Sequence, residues 1–186
     1  MTKAELKHIN DQFNNRIRDI LSDNIDFSVP LYIGMPSAGL VSCGVPNLPI
    51  EMSVQRLIDK KLQSNHPFSL ISVVHMPEFV YAPIAVFLSK TKIGRKVILT
   101  EMEDQNINLV VALELNRWEK TKKINSVRSI YPKENTAEIL RWIVEDDLLE
   151  WVHKEKALDW VGKQQSNSAD VTQLIKDSAN IIRNNY

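Results

Sequence analysis

Several polar side chains stand where apolar runs of the sequence end, and their chemistry suits the handling of a proton or a phosphate. His66 lies in the string NHP, and its imidazole titrates near neutral pH, as a general acid or base must. An equally open interpretation is that His66 caps a helix C-terminus and interacts with the helix dipole. Ser89 and Lys90 follow an apolar run, where a hydroxyl and an ammonium group could bind a phosphate. The alternative for this pair is a solvated strand end.

Further candidates lie in and beside the string SIYPK, which begins at Ser129. Strand alternation predicts that Ser129 and Tyr131 share one face with Val127, while Arg128 faces the other way. Tyr131 can donate a proton or stack on a nucleobase, although a strand tyrosine is more often a half-buried packing residue. Arg128 can clamp a phosphate if its face lines the cleft, and the sequence leaves that choice of face open. Lys133 is a further candidate for substrate binding.

Two segments rich in lysine and arginine are candidates for a basic rim that binds RNA. The first contains Lys92 and Arg95, and the second surrounds Trp118 with lysines. An exposed aromatic ring among basic side chains is typical of a platform on which nucleobases stack. The alternative is that these charged loops form only a solvated surface.

Composition limits the classes of protein to which these residues can belong. The chain has 186 residues, of which 44% are hydrophobic, so it can bury the core of one domain with an extension. Basic and acidic residues balance to a net charge of zero, which leaves only local patches to attract nucleic acid. The single cysteine, Cys43, excludes an internal disulfide, and we expect neither a metal nor a cofactor. The polar N-terminus and the lack of a long apolar stretch predict a cytoplasmic protein without a membrane partner.

Four short apolar runs predict the sheet that must position the candidate residues. The runs span residues 83–89, 97–100, 109–115 and 124–131. Each run is bounded by polar turn residues, a pattern that favours antiparallel strands joined as a meander. Residues 29–34 and 148–152 are candidates for additional short strands.

Helical patterns precede and follow these runs. Apolar residues recur at helical spacing over residues 3–23, Ser53 can cap a second helix, and a closing helix begins near residue 136. The expected fold is α+β, with N-terminal helices packed on a four-stranded or slightly larger antiparallel meander. We expect an amphipathic helix at residues 1–28, the main domain at residues 29–162, and a polar linker with a helical tail at residues 163–186.

Several strings in this order of elements resemble one known family. They are LYIGMPSAGL, GVPNLPIEMS, NHP, MPEFVYAPIAVFLS, INSVRSIYPKEN and the closing RWIVEDDLLEW. Together these strings resemble the phage MuF C-terminal domain family, which is grouped with phage-associated nucleases of the barnase, EndoU, colicin and RelE type. The resemblance covers about residues 31–161 and rests mostly on packing and turn residues.

The resemblance implies a barnase- or RelE-like α+β fold and metal-independent cleavage of RNA. In that reaction the ribose 2′-hydroxyl attacks the neighbouring phosphate and leaves a 2′,3′-cyclic phosphate and a 5′-hydroxyl. A base takes the 2′ proton, an acid protonates the leaving oxygen, and cations or hydroxyls stabilise the phosphorane. The catalytic set implied in this chain is His66, Ser89, Lys90, Ser129 and Tyr131. Substrate binding is expected from Arg128, Lys133, Trp118, Lys92 and Arg95.

The expected function is therefore that of a toxin-like ribonuclease of phage or mobile-element origin. Its expected partners are tRNA or mRNA and a cognate inhibitor or phage protein. A different class of protein remains open, namely a binding module that keeps this fold but does not catalyse a reaction. A third alternative is a toxin-like enzyme that acts on a nucleotide or a protein. Finding His66, Lys90 and Ser129 around one cleft would favour an enzyme, whereas scattered and exposed positions would favour the binding module.

Overall fold

The computed structural model describes residues 1–61, 67–134, 136–144, 147–163 and 172–173. In these ranges the α-helices are α1 (Lys3–Leu21), α2 (Ala38–Ser42), α3 (Val54–Lys61), α4 (Met76–Tyr81), α5 (Thr136–Val144) and α6 (Lys154–Lys163). The strands are β1 (Leu31–Gly34), β2 (Ile50–Met52), β3 (Ala85–Leu88), β4 (Arg95–Asp104), β5 (Ile107–Glu119), β6 (Lys122–Pro132) and β7 (Leu149–Val152). A 3-10 helix, Leu70–Val73, precedes α4.

The strands form one seven-stranded sheet in the order β1-β2-β6-β5-β4-β3-β7. The prediction of a mixed α+β fold with helices first is confirmed, and the four apolar runs form the consecutive antiparallel strands β3 to β6. The expectation of a simple four-stranded antiparallel meander is wrong for the sheet as a whole. Strand β2 pairs with β6 in parallel, and β7 pairs with β3 across a long stretch of sequence. Such pairings depend on contacts between distant segments, which periodicity along the chain does not report.

The parallel strand β2 is held in place by one buried side chain. Asn125 on β6 is fully buried, and its Nδ2 donates to the carbonyl oxygens of Pro46 and Leu48 at 2.8 and 3.0 Å. Its backbone N–H donates to the carbonyl of Pro49 at 2.8 Å. These bonds satisfy carbonyl groups of the proline-rich connection and bring the three-residue strand that follows beside β6.

The hairpin between β4 and β5 is tighter than the sequence predicts. The apolar runs at residues 97–100 and 109–115 leave the polar residues 101–108 between them as the predicted connection, but β4 continues to Asp104 and β5 begins at Ile107. The two-residue loop consists of Gln105 and Asn106, whose φ angles are 50° and 65°. Positive φ at both central positions is the geometry of a type I′ turn, whose twist matches that of the flanking strands. The turn therefore forms without the glycine that usually identifies it.

Two hydrophobic cores lie on opposite faces of the sheet, as strand alternation requires. On one face, α1, α3 and α4 bury side chains such as Ile17 and Leu57 against Val111 and Val127 of the sheet. On the other face, the core contains residues of α5 and α6 together with Phe87, Val97, Leu99, Val110 and Val152. Because Val97 and Ala112 pair across β4 and β5, the next residues on that second face are Arg95 and Glu114, which also pair.

Two buried asparagines join α1 to α4. Asn14 Oδ1 accepts from the backbone N–H of His75 at 2.9 Å, and Asn10 Oδ1 accepts from the N–H of Glu78 at 3.2 Å. Asn10 also donates to the Glu78 carboxylate at 3.2 Å. His75 has a φ of 66° and offers no side-chain cap to α4. The Asn14 amide therefore gives the His75 N–H a partner at the start of α4, and Asn10 shares the Glu78 N–H with the His75 carbonyl, which lies 3.0 Å from that nitrogen.

The C-terminal part of the chain is described only as far as Lys163, apart from residues 172–173. Most of the predicted linker and tail therefore lies outside the described residues, as does His66. Within the described ranges, no helix combines the length and the apolar character needed to cross a membrane.

Candidate functional site

The most concentrated group of charges on the sheet surrounds the carboxylate of Glu114. Among the described residues, Arg128 Nε lies 3.0 Å from Glu114 Oε2, Arg117 Nη1 lies at 3.2 Å and Arg95 Nη2 lies at 3.7 Å. These four side chains are between 23% and 36% exposed. We call Glu114, Arg95, Arg117 and Arg128 the arginine cluster. It is reached from solvent, and its ion pairs are only partly screened by water.

Irregular strand pairing brings the arginine cluster together. Arg95 lies directly opposite Glu114 in the β4–β5 register. The β5–β6 register shifts between Ala112 and Leu113 and again between Glu114 and Arg117. The second shift contains Asn116, which has a φ of 52°. Because a bulge inserts a residue and turns the side chains that follow, these shifts direct Arg117 and Arg128 to the same carboxylate.

The first of these shifts also corrects the expected faces of β6. Uninterrupted alternation placed Val127 with Ser129 and Tyr131, and Arg128 on the opposite side. In the structure Val127 belongs to the core beneath α1 and α3, whereas Tyr131 packs against the core beneath α5 and α6. Arg128 has no paired residue on β5, since Ala112 pairs with Ser129 and Leu113 with Val127. Arg128 is thus the inserted residue, and its guanidinium reaches Glu114.

A fourth guanidinium adjoins the arginine cluster. Arg56 of α3 donates from Nη1 to the carbonyl of Val127 at 3.5 Å. Burial, and next the positive charge of Arg128, lower the pKa of Arg56. A hydrogen bond to Glu119 at 2.8 Å raises the pKa of the exposed Arg117. Four guanidiniums against the two carboxylates Glu114 and Glu119 leave this region with an excess of positive charge.

One donor of the arginine cluster is unsatisfied. Arg128 Nη1 is buried and has no hydrogen-bond partner among the described residues. Leaving a buried donor unpaired costs about 1–3 kcal/mol, and more where the group is charged. A donor of this kind beside excess positive charge is suited to an anion that brings its own acceptor oxygens. A phosphate diester is such an anion.

A cavity of about 330 Å³ borders the arginine cluster. Arg56 and Glu119 line both the cavity and the edge of the cluster. The remaining wall combines apolar residues such as Phe27 and Ile124 with polar residues such as Glu51. An anion-binding surface and a partly apolar cavity thus lie side by side.

The exposed aromatic residue expected to stack on nucleobases lies on the same hairpin as the arginine cluster. Trp118 is 64% exposed on β5, and Lys123 opposite it on β6 holds its Nζ 5.3 Å from the ring centroid. This cation–π pair keeps a basic and an aromatic group together near the β5–β6 turn. Both are accessible to a nucleic acid.

Tyr131 and Lys133 have packing partners that account for their positions. Burial raises the pKa of Tyr131, which pairs with Val110, four residues before Glu114 on β5 and so roughly 13 Å from it along the strand. Lys133 Nζ lies 2.5 Å from the carboxylate of Glu138 and 4.9 Å from the ring centroid of Trp142. These contacts attach the end of β6 to α5.

The candidates at the end of β3 lie in a hairpin turn. The Ser89 N–H donates to the carbonyl of Arg95 at 3.1 Å, and Ser89 Oγ accepts from the N–H of Lys92 at 3.3 Å. Lys90 and Lys92 are exposed. Strands β4 and β5 separate this turn from Ser129 on β6, a distance of roughly 14 Å at the usual strand spacing. The structure therefore brings Arg95 and Arg128 together but not Lys90 and Ser129, and His66 lies outside the described residues.

Sequence reasoning missed Glu114, Arg117 and Arg56. A signal for Glu114 was present, because it is a charged residue inside the apolar run LVVALEL, and a charge within such a strand needs a partner. Arg117 and Arg56 carried no comparable signal, since one depends on a bulge and the other on the docking of α3.

One family matches this chain. The family described as Phage MuF-C-terminal domain matches residues 57–159, which is more than half of the chain. The chain therefore belongs to the phage MuF C-terminal domain family. The matched range contains strands β3 to β7 and all four residues of the arginine cluster, while Arg56 lies immediately before it. No curated protein and no solved structure matches the chain.

Proposed function

We propose that this domain is a metal-independent endoribonuclease whose reaction centre is the arginine cluster. The observation that carries the proposal is the convergence of three guanidiniums on the Glu114 carboxylate, with Arg128 Nη1 buried beside them and without a hydrogen-bond partner in the ranges that the structure describes. Guanidinium N–H groups match the oxygens of a phosphodiester in charge and in geometry. A carboxylate in the midst of phosphate-binding groups is in position to accept a proton from a neighbouring hydroxyl.

In this mechanism Glu114 is the general base and the arginines bind the scissile phosphate. The ribose 2′-oxygen attacks phosphorus while Glu114 accepts the 2′ proton, and the bond from phosphorus to the 5′-oxygen breaks. The leaving oxygen takes a proton from solvent. Arg95, Arg117 and Arg128 offset the negative charge that develops on the phosphorane, which is the largest catalytic effect in many enzymes. The products are a 2′,3′-cyclic phosphate and a 5′-hydroxyl.

The test is incubation of the purified chain with tRNA and total RNA in EDTA, followed by analysis of the fragment ends. We expect cyclic-phosphate ends from the wild type. Glu114→Gln should lower the rate by about 10²- to 10⁴-fold, the usual contribution of a general base, while RNA binding persists. Glu155→Gln is the matched control, because Glu155 is an exposed residue of α6. Cleavage by Glu114→Gln at the wild-type rate would rule out this assignment.

The second candidate is a binding module that attaches to RNA without cutting it. The observation in its favour is the separation of Lys90 and Ser129 by two intervening strands, so these two members of the expected catalytic set do not meet. In that case RNA remains intact with the wild type. A filter-binding assay still detects the complex of RNA with the chain. Arg128→Met weakens this RNA binding more than the exposed control Arg141→Met does.

The proposed cellular role is that of a toxin-like enzyme of phage origin. The family match supports the phage association, and the proposed substrate is cytoplasmic tRNA or mRNA. A cognate inhibitor or phage protein is the proposed second partner. Induced expression in the cytoplasm should arrest growth with the wild type but not with Glu114→Gln. Equal growth of the two strains, together with intact RNA, favours the binding module.

A further inference from the structure

We propose that the cavity beside the arginine cluster binds a guanine base of the RNA. The inference rests on the proposed function, because it takes the phosphate of the same nucleotide to lie at the arginine cluster. Arg56 and Glu119 line the cavity and adjoin the arginine cluster, Glu119 through its hydrogen bond from Arg117, so a nucleotide with its phosphate among the arginines can place its base in this cavity. At about 330 Å³, the cavity lies at the lower end of the range for small-molecule sites.

The cavity wall offers a surface on which a base can stack. Phe27 is a lining residue and is 53% exposed, so its ring is accessible to a ligand in the cavity. Pro30 and Ile124 continue the apolar lining. Recognition of single-stranded RNA relies on such stacking of splayed bases on aromatic rings. The apolar part of the wall therefore accounts for affinity for a base, but it does not account for selectivity among the four bases of RNA.

The polar part of the wall provides the selectivity. Glu51 is nearly buried, with 7% of its side chain exposed, and its Oε1 lies 2.5 Å from Lys122 Nζ. An ionised carboxylate only accepts hydrogen bonds and has capacity for several. Lys122 only donates, and both residues line the cavity. The wall thus presents an acceptor and a donor next to each other.

This pattern is complementary to guanine. The Watson–Crick edge of guanine carries the O6 acceptor next to the N1–H and N2–H donors, which match Lys122 and Glu51 in that order. Adenine and cytosine place a ring nitrogen acceptor beside their amino group, and uracil places a carbonyl on each side of its single N–H. Each of these bases would leave an acceptor facing the Glu51 carboxylate, and an unmatched polar group in such a site is heavily disfavoured.

The experiment measures binding of the four nucleoside 3′-monophosphates to the full chain by calorimetry, and maps cleavage ends on RNA of mixed sequence. We expect 3′-GMP to bind at least about tenfold more tightly than 3′-AMP, 3′-CMP or 3′-UMP, which is the usual discrimination of one good bidentate pair. We expect cleavage ends to lie next to guanosine. Glu51→Gln should abolish the preference, with Glu155→Gln as the matched control.

A second variant keeps the inference testable if Glu51→Gln fails to fold. Phe27→Ala changes an exposed side chain, so the fold should persist, and it should weaken binding of 3′-GMP at least about fivefold through lost stacking. Ile71→Ala, which removes another exposed apolar side chain remote in sequence, is its control. Unchanged binding of 3′-GMP by folded Phe27→Ala would overturn the inference.

The outcomes separate this inference from the proposed function. RNA cleavage without preference for any base, with equal affinity for the four nucleotides, overturns the guanine site and leaves the ribonuclease standing. A 3′-GMP preference that depends on Glu51 without any cleavage supports the site and overturns the ribonuclease. Equal affinities without cleavage overturn both.

Discussion

At the scale of single residues, Arg128 is the side chain on which the proposed phosphate binding depends most directly. It is the inserted residue of β6, it approaches Glu114 through Nε, and its Nη1 is buried without a hydrogen-bond partner in the described part of the chain. A protein does not gain stability from a donor left in that state. A ligand that supplies the missing acceptor binds the folded chain alone, and its binding energy therefore adds to stability.

This property of Arg128 predicts that inorganic phosphate stabilises the chain. Each 1 kcal/mol of binding free energy should raise the Tm by roughly 2–4 °C, measured by differential scanning calorimetry with sodium chloride at equal ionic strength as reference. Arg128→Met should lose most of this shift. Arg141→Met should keep it, because Arg141 is exposed on α5. A full phosphate shift in folded Arg128→Met would contradict the anion site.

A second prediction at this scale concerns the reactivity of the Cys43 thiol. Burial, and next the charge of Glu150, raise the pKa of its thiol from 9.0 to about 11. At pH 8 only about one molecule in a thousand then carries a thiolate, which is the reactive form. We expect slow labelling by iodoacetamide in the folded chain and fast labelling in urea. Because the unfolded thiol loses its proton first, the free energy of unfolding should fall as pH rises between about 9 and 11. Equal labelling rates in the two states would contradict this.

At the scale of elements, the contact between α1 and α4 depends on hydrogen bonds as well as on apolar burial. Asn10 and Asn14 lie one turn apart on α1, both are buried, and both accept from N–H groups at the start of α4. Buried polar pairs of this kind fix how two helices meet, since an unmatched arrangement leaves groups unsatisfied. The asparagines thereby set the register of α4, which leads directly into β3.

We therefore predict that Asn14→Ala destabilises the fold by about 1 kcal/mol, the usual contribution of a hydrogen bond, because it removes the part-buried bond from the His75 N–H. Urea unfolding should show a lower midpoint with an unchanged slope. Asn15→Ala is the control on the same helix, because Asn15 is exposed, and it should change stability by less than about 0.5 kcal/mol. Equal midpoints for the two variants would show that the asparagine contact contributes nothing to stability.

At the scale of the whole molecule, helices cover both faces of the sheet but leave the region of Glu114 accessible. Helices α5 and α6 pack over β3, β4 and the nearer part of β5. The β5–β6 hairpin extends beyond them and carries Glu114, Arg117, Arg128 and Trp118, while Arg95 joins the arginine cluster from β4. This arrangement explains how a chain of zero net charge presents a locally basic surface, since the charges that balance it lie elsewhere.

The sequence by itself determined the α+β class, the helices at the start and the four central strands. Those features depend on local periodicity and turn residues, which are legible along the chain. It also named Arg95, Arg128 and Trp118 as candidates for substrate binding, and the structure places these three on β4, β5 and β6. The position of Glu114 inside an apolar run indicates that its charge needs a partner, but the sequence does not show which residues pair with it.

Only the tertiary structure decided which charges meet. The parallel pairing of β2, the strand β7 at the far edge and the docking of Arg56 all join segments distant in sequence. The insertion of Arg128 in β6 puts Tyr131 on the face opposite Val127, which the two were expected to share, because a single inserted residue changes the side of every residue beyond it. Strand alternation is a local rule, whereas a bulge is set by the packing of both neighbouring strands.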